Sequence, residues 1–408
     1  MRYTICSMEP KRKKHVIVLW CTAGGLAVLL LLLLWVRTLS ARLAEFVSRY
    51  IARPWVYFIG HLHSALPFSL FEFFVVAAVL GGVALIVLAI VGLCRKRGGT
   101  VLKGLAVVTV CALLFGNFYT LTAGFAYYRP AAPVPQSQTA FSSTDVTAMI
   151  RYFADDYNAL ANKWERDRNG NAISPYSFNE LSEKLQQEYK RLDNNYYYGY
   201  TPRAKGVLNS WFLTLNNITG VTFVPFGEPT VNRDTPASDI PQVMAHEMAH
   251  AKGVAREGDA NFVAYYVLLS SQDDYLRYCG YFATFGAALS AVNADSSIKD
   301  DRLEIAENID PKITVEQQNA ARFWSEKSKQ PGLAGALNRL FEKVGDFVND
   351  LFLKSNGAQN GSDSYSDKVG DGAIDNPVID PDTGEIIYDV TYSSVQKMYF
   401  AVYENLFA

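Results

Sequence analysis

The chain has 408 residues, of which 50% are hydrophobic, and its formal net charge is −2. Without a basic excess or a basic and aromatic surface motif, the composition argues against a nucleic-acid partner. The apolar residues are concentrated in the first third of the chain, and this concentration predicts a membrane protein.

Three apolar runs without charged residues lie at 16–36, 73–94 and 105–128. Each exceeds the roughly 20 residues that a helix needs to cross the hydrocarbon core of a bilayer. The first run is too long for a secretory signal peptide, and no convincing cleavage site follows it. We therefore predict that residues 1–128 form a membrane anchor with three transmembrane helices in contact with the lipid bilayer.

The basic residues around these runs predict the orientation of the chain. Lysines and arginines cluster before the first run and between the second and third, at Lys11, Arg12, Lys13, Lys14, Arg95, Lys96, Arg97 and Lys103. The positive-inside rule assigns both clusters to the cytoplasm. We expect a multi-pass protein of the plasma membrane, with a cytoplasmic N-terminus and with everything after Tyr128 outside the cytoplasm.

The connector at 37–70 carries an apolar helical stripe over 37–53, which predicts an amphipathic helix along the outer membrane surface. Pro54 is expected to interrupt this helix. His61 and His63 follow at a spacing of two residues, which does not converge on one ion on a helix. We interpret both as interfacial residues rather than metal ligands.

Residues 129–141 are rich in proline and predict a partly extended linker. The remaining residues, 142–408, predict an extracytoplasmic domain with a core at 220–292 and C-terminal helices and a hairpin at 313–408. Its predicted elements are helices that start near 142 and 177, a strand at 221–226, helices at 273–292 and 313–353, a hairpin at 378–390 and a last helix at 395–407. The fold class is therefore mainly α (α+β), with a small β element.

The domain contains a His-Glu-x-x-His motif, HEMAH, at 246–250. On a helix, His246 and His250 lie four residues apart on one face, so both imidazoles can reach one Zn²⁺ ion. Glu247 then lies where it can act as the general base on the water that the zinc activates. A zinc site is favoured over a chance match for three reasons. The helix around the motif is apolar, a glycine follows it, and the next helix starts with acidic residues.

A catalytic zinc uses three protein ligands, yet only two of the five histidines of the chain lie outside the membrane region. The third ligand is therefore expected to be a carboxylate or, less favourably, Cys279. Glu257, seven residues after His250 across a glycine turn, is the preferred candidate, and Asp259 is the alternative. Asn261 shares the helix face of Glu257 and is expected to hydrogen-bond a zinc-bound imidazole.

A peptidase also needs a group that stabilises the oxyanion, and with no spare histidine this group must be Tyr, Arg or Asn. The downstream candidates are Tyr275, Arg277, Tyr278 and Tyr281. Their aromatic rings are also typical of helix packing, which is the interpretation we favour for them.

Several separated segments resemble an uncharacterised bacterial membrane family, the domain of unknown function numbered 3810. These segments are PFSLFE at 67–72, GVTFVPFGEPTVNRDTP at 220–236, HEMAHAKGVAREGDANFVAYY at 246–266, RYCGY at 277–281 and NDLFLKSNGAQNGSDSY at 349–365. The resemblance spans nearly the whole chain and implies a three-span anchor with a zincin-like domain and no established substrate. Relative to that family, the predicted hairpin resembles an insertion.

Residues 246–261 are also similar to the gluzincin pattern, in which HExxH is followed by Glu-x-x-Ala-Asp. By that match Glu257 takes the ligand position, and Asn261 replaces the aspartate that supports a ligand. The chain departs from the pattern in the short interval between His250 and Glu257, where gluzincins insert much more chain. This departure leaves the identity of the third ligand open.

The leading hypothesis is a membrane-anchored zinc endopeptidase that hydrolyses envelope or secreted polypeptides. A second hypothesis is a non-catalytic, metal-binding sensor or scaffold protein in the membrane. A third is a purely structural zinc site. The sequence does not identify the substrate or the oligomeric state.

Overall fold

The computed structural model of the protein describes residues 10–95, 98–137, 143–192, 194–290, 299–327, 378–379, 386–387 and 394–407. The chain forms two compact units. The first contains the described residues up to Pro130, together with 198–200 and 223–228, and the second contains 131–197, 201–222 and the described residues from 229 onward. The structure is mostly helical with a small three-stranded sheet, which confirms the prediction of a mainly helical chain.

The first unit contains helices α1 (Pro10–Val36), α4 (Leu70–Cys94) and α5 (Gly98–Tyr119). A π-helical turn, Thr120–Gly124, and a 3₁₀ turn, Ala126–Tyr128, continue α5. Three helical stretches in the described residues are long and apolar enough to cross a membrane: Lys13–Val36, Leu70–Cys94 and Gly98–Tyr128. No residue of α4 is buried within the described part of the protein, so its apolar side chains need an apolar phase around them. Helices are therefore present at the three predicted spans, and their length and apolar composition indicate a membrane protein.

The connector differs from its prediction at Pro54. Helices α2 (Ala41–Val47) and α3 (Arg53–Ser64) are joined by a π-helical turn, Ser48–Ala52, without an interruption. Pro54 is the second residue of α3, directly after the π-helical turn, whose wider hydrogen-bond pattern accommodates the proline ring. His63 also differs from its prediction, because it is fully buried instead of lying at an interface.

The helices of the second unit pack around one apolar core. Their bounds are α6 Ser143–Ala161, α7 Phe178–Lys190, α8 Ser210–Leu215, α9 Ile240–Ala251, α10 Glu257–Leu269, α11 Asp274–Ser290, α12 Lys299–Glu307, α13 Pro311–Lys327 and α14 Ser394–Phe407. Helix α7 starts where the sequence predicted, near 177, and it begins with a capping box of reciprocal hydrogen bonds between Ser177 and Glu180. Residues 328–353 of the last long predicted helix lie outside the described residues, and its described part is α13.

Strands β1 (Lys205–Gly206), β2 (Gly220–Phe223) and β3 (Glu228–Val231) form a sheet in the order β1-β3-β2. Strand β1 pairs parallel with β3, with Lys205 opposite Thr230 and Gly206 opposite Val231. Strand β2 therefore lies at an edge of this sheet. It ends at Phe223, three residues earlier than predicted, because Gly227, with a φ of 58°, donates its N–H back to Phe223 in a tight turn.

The predicted hairpin is present where the structure describes it. Strands β4 (Val378–Ile379) and β5 (Ile386–Ile387) pair antiparallel, with Val378 opposite Ile387. The rest of the predicted segment at 378–390 lies outside the described residues.

Candidate metal centre

Helix α9 carries the HEMAH motif and is buried on most of its surface. Its apolar residues Val243, Met244, Ala245, Met248 and Ala249 are at most 5% exposed. They form the core-facing side of the helix and leave His246 and His250 together on another side. The N-cap residue of α9 is Asp239, and the hydroxyl of the preceding Ser238 donates to the buried carboxylate of Glu316.

A tight turn after α9 reverses the chain and returns a carboxylate to the two histidines. Gly253 adopts a φ of 87°, in the left-handed region that favours glycine, and the N–H of Val254 bonds to the carbonyl of Ala249 at 3.1 Å. Helix α10 then starts at Glu257, so this carboxylate also lies at a helix N-terminus, where negative charge is favoured.

The side chains of His246, His250 and Glu257 converge on one point. Oε2 of Glu257 lies 3.2 Å from Nε2 of His246 and 3.3 Å from Nε2 of His250. The two Nε2 atoms are 3.0 Å apart. For zinc bonds of about 2.0–2.1 Å in a tetrahedral site, ligand atoms are expected roughly 3.3 Å apart. The three observed separations are close to that value, and the donor set of two imidazoles and one carboxylate is one that zinc prefers.

The same turn also orients His250 as a ligand. Nδ1 of His250 lies 2.7 Å from the carbonyl oxygen of Val254, an acceptor, so Nδ1 carries the proton when the ring is neutral. Nε2, which faces Glu257, then keeps its lone pair. Oε2 of Glu257 is buried and faces both imidazole Nε2 atoms, at 3.2 and 3.3 Å. A cation among the three side chains could bind all three of these atoms at once.

The charges of the cluster favour a cation at the same point. Burial alone would raise the pKa of Glu257, but the adjacent His250 and His246 outweigh it and hold this pKa far below its usual range. Burial alone would lower the pKa of His250, but the carboxylate of Glu257 outweighs it and raises the pKa to about 9. The same charge of Glu257 would attract a metal ion bound among the three side chains.

Glu247 lies beside this cluster and is held by strand β2. Its carboxylate is almost fully buried, and this burial raises its pKa. The hydroxyl of Thr222 lies 2.7 Å from Oε2 of Glu247, to which it can donate. A Cβ at Gly220 would lie 2.6 Å from Oε1 of Glu247, so only glycine leaves room for the carboxylate in this position. Sequence reasoning missed Thr222 and Gly220, because a short Gly-Val-Thr-Phe strand carries no signal of a distant partner.

The other candidate ligands have different surroundings. Oδ2 of Asp259 accepts hydrogen bonds from Arg256 at 2.7 Å and from the N–H of Ala132 at 3.1 Å. Cys279 is fully buried in α11, and burial raises the pKa of its thiol well above the usual value. Asn261 lies one turn after Glu257 on α10. Among the described residues, the group that converges as a metal site is His246, His250 and Glu257.

The four candidate oxyanion stabilisers bond to groups other than the metal triad. Arg277 and Tyr281 both donate to Oδ2 of Asp156, at 2.9 Å each. The hydroxyl of Tyr278 donates to Glu316 at 2.6 Å, and that of Tyr275 lies 3.4 Å from the carbonyl of Ala237. Arg277, Tyr278 and Tyr281 thereby tie α11 to other helices of the second unit, and Tyr275 reaches the turn before α9, which agrees with a packing role for all four.

A family model described as "Protein of unknown function (DUF3810)" matches residues 48–370. No curated protein and no solved structure matches the chain.

Proposed function

The chain belongs to this family of proteins of unknown function, whose model covers residues 48–370, and from its candidate site we propose a membrane-anchored, zinc-dependent endopeptidase. The observation that carries the proposal is the convergence of His246, His250 and Glu257, with separations of 3.0–3.3 Å between their ligand atoms, beside the buried carboxylate of Glu247. Three protein ligands leave a fourth position for water or substrate, which is the pattern of catalytic zinc.

In this proposal His246, His250 and Glu257 hold the metal, and Glu247 acts as the general base. A zinc ion, when bound, lowers the pKa of a water molecule and polarises the scissile carbonyl. Glu247 accepts a proton from the attacking water at its carboxylate and later donates it to the leaving amine. Burial favours the protonated form of Glu247, so the carboxylate is a stronger base than an exposed one. The hydrogen bond from Thr222 holds it in one orientation.

The proposed substrate is an extended polypeptide of the cell envelope or a secreted one. Strand β2 is an edge strand of the sheet, and an edge strand can pair with an extended peptide through main-chain hydrogen bonds. Gly220 and Thr222 of β2 contact Glu247, so a peptide on β2 would lie near the general base. The basic residues around the spans favour an extracytoplasmic position for this domain in the plasma membrane.

The decisive experiment compares the full chain with its Glu247→Gln variant in lipid nanodiscs. Zinc content is measured by plasma mass spectrometry, and proteolysis with a quenched fluorescent casein. We expect one zinc per chain in both proteins and a loss of kcat of roughly 10²-fold or more in the variant, the usual contribution of a general base. Stoichiometric zinc without cleavage by the unmodified protein would contradict the peptidase and favour a non-catalytic sensor or scaffold.

A further inference from the structure

Arginines outnumber carboxylates where the chain leaves the first and third membrane-spanning helices. Residues 37–64 contain one acidic residue, Glu45, and four arginines, and a fifth arginine, Arg129, directly follows the span Gly98–Tyr128. The four are Arg37, Arg42, Arg49 and Arg53. Positive charge in excess beside a lipid phase is costly unless an anion is close to it.

Two of these arginines share the carboxylate of Glu45. Nε of Arg129 lies 2.7 Å from Oε2 of Glu45, and Nη2 of Arg49 lies 3.1 Å from Oε1. Arg129 is buried, whereas Glu45 and Arg49 are partly exposed, so this group of charges reaches the surface of the first unit. The guanidinium of Arg129 also lies over the ring of Tyr198, 5.6 Å from its centroid. One negative charge therefore faces two positive charges beside Tyr198.

The hydroxyl groups of Ser48 and Tyr198 are buried in the same place. Tyr198 belongs to the first unit and packs on Ala52 and Val56, and the residues that carry the two hydroxyls are at most 3% exposed. Apart from each other, these hydroxyls have no hydrogen-bond partner among the described residues. A bond between two hydroxyls uses only one of their two donor hydrogens. The other hydrogen is left for an acceptor that the described chain does not supply.

The surroundings of the Tyr198 hydroxyl favour a negatively charged acceptor. Burial raises the pKa of Tyr198, and the charge of Glu45 adds to the increase, whereas Arg129 and Arg53 both act in the opposite direction. Arg53 lies against the same segment, because a Cβ at Gly199 would be only 3.0 Å from Nη2 of Arg53. An acceptor at this point would thus lie near two guanidinium groups, which form their strongest hydrogen bonds with anions.

The exposed side chains around Ser48 indicate that this part of the chain lies at the depth of lipid headgroups. Phe46, Tyr50 and Ile51 are large, exposed and within three positions of Ser48. The rings of Phe46 and Tyr50 are in contact, with centroids 4.8 Å apart. Exposed aromatic side chains next to a membrane span are typical of the membrane–water interface, where the phosphate groups of lipids lie.

We propose that Ser48, Arg53, Arg129 and Tyr198 form a binding site for the phosphate group of an anionic membrane lipid. The phosphate oxygens accept the donor hydrogen that the two hydroxyls leave over, and the guanidinium groups offset the negative charge. The acyl chains extend past the exposed aromatic side chains into the bilayer. A headgroup with a net negative charge is preferred over a zwitterionic one, because the arginines outnumber the carboxylates. The site lies wholly within the first unit and does not depend on the proposed peptidase.

The test measures lipid binding to the full chain in dodecyl maltoside micelles. Native mass spectrometry counts the bound lipids as dioleoylphosphatidylglycerol, which is anionic, or dioleoylphosphatidylcholine, which is zwitterionic, is added. Inorganic phosphate is added in a third series. The variants are Ser48→Ala and Tyr198→Phe, each of which removes one hydroxyl, and Arg53→Gln. Arg42→Gln is the matched control, because Arg42 belongs to the same connector but is exposed. Thermal melting without added lipid shows that each variant is folded.

We expect one phosphatidylglycerol molecule to bind per chain, at least about tenfold more tightly than phosphatidylcholine. Ser48→Ala, Tyr198→Phe and Arg53→Gln should each weaken this binding by about tenfold or more, as for the loss of a hydrogen bond to a charged group. Arg42→Gln should bind as the unmodified protein does.

Three results would overturn the inference. Equal affinity for the two lipids would show that the net charge of the headgroup is not recognised. Unchanged phosphatidylglycerol binding in both Ser48→Ala and Tyr198→Phe would show that the lipid binds elsewhere. Inorganic phosphate that prevents phosphatidylglycerol from binding at equal concentration would identify a free phosphate, and not a lipid, as the ligand.

Discussion

The identity of the third metal ligand can be tested by comparing Glu257→Gln with Asp259→Asn. Glu257 places a carboxylate oxygen 3.2–3.3 Å from both imidazole nitrogen atoms, and its side chain is 9% exposed. At a zinc–oxygen distance of about 2 Å and an effective dielectric constant of about 20, the carboxylate charge contributes about 8 kcal/mol per unit of positive charge on the metal. A difference of that size corresponds to more than about 10³-fold in affinity. We therefore expect Glu257→Gln to weaken zinc binding by at least about 10³-fold.

The same substitution at Asp259 should leave the metal almost unaffected. The oxygen of Asp259 is already used by Arg256 and by the N–H of Ala132, and an asparagine keeps an acceptor for the latter. The partner Arg256 is 42% exposed, so the ion pair contributes at most about 1 kcal/mol to stability. Competition with a chromophoric chelator measures both affinities. Zinc lost by Asp259→Asn and kept by Glu257→Gln would refute the assignment of Glu257 as the ligand.

Three further predictions follow from buried contacts of the second unit. Gly220→Ala should lower kcat by about tenfold or more without loss of zinc, because the added methyl group displaces the carboxylate of Glu247. Gly286→Ala is the control, since the added carbon would have open space around it. Equal kcat values in the two variants would contradict the reasoning. Burial, and then the charge of Glu316, raises the pKa of Asp239 from 3.8 to about 6, so the ionised form destabilises the folded state above pH 6 and this cost vanishes as the pH falls towards 4. Asp239→Asn should therefore raise the unfolding free energy by up to about 3 kcal/mol at pH 7.5 and by almost nothing at pH 4, which urea titrations at the two pH values would check. Glu316→Ala should lower the unfolding free energy by about 3 kcal/mol or more, because it leaves the partly buried guanidinium of Arg166 without the carboxylate that lies 2.7 Å away. A change in unfolding free energy below about 1 kcal/mol, measured by thermal melting, would contradict this prediction.

The sequence predicted those parts of the fold that depend on local patterns. The membrane spans follow from apolar length alone, and the start of α7 follows from a capping box that lies within four residues. Spacing on one helix face likewise predicted that His246 and His250 would meet. Counting the histidines of the chain then pointed to a carboxylate as their partner, and the structure brings Glu257 to them.

The sequence did not predict features that depend on distant segments. Pro54 would break a regular helix, but a π-helical turn before it lets the chain continue. His63 lies in a segment that suggests a membrane interface, yet it is buried by a turn more than 160 residues away. No sequence pattern predicts the role of Thr222 either, because that role depends on its contact with Glu247 on another element. The periodicity of apolar residues identifies which face of a helix or strand is buried. It does not identify the distant element that packs against that face.

The six residues between His250 and Glu257 also have a consequence for the order of folding. Closing so short a loop costs little chain entropy, and the turn at Gly253 holds it closed with its own hydrogen bonds. The three converging side chains are thus a contact of low sequence separation, and such contacts form early on a folding pathway. A metal bound here would stabilise the α9–α10 hairpin before the sheet or the distant helices have joined it. On unfolding with metal present, this hairpin should be the last native segment to open.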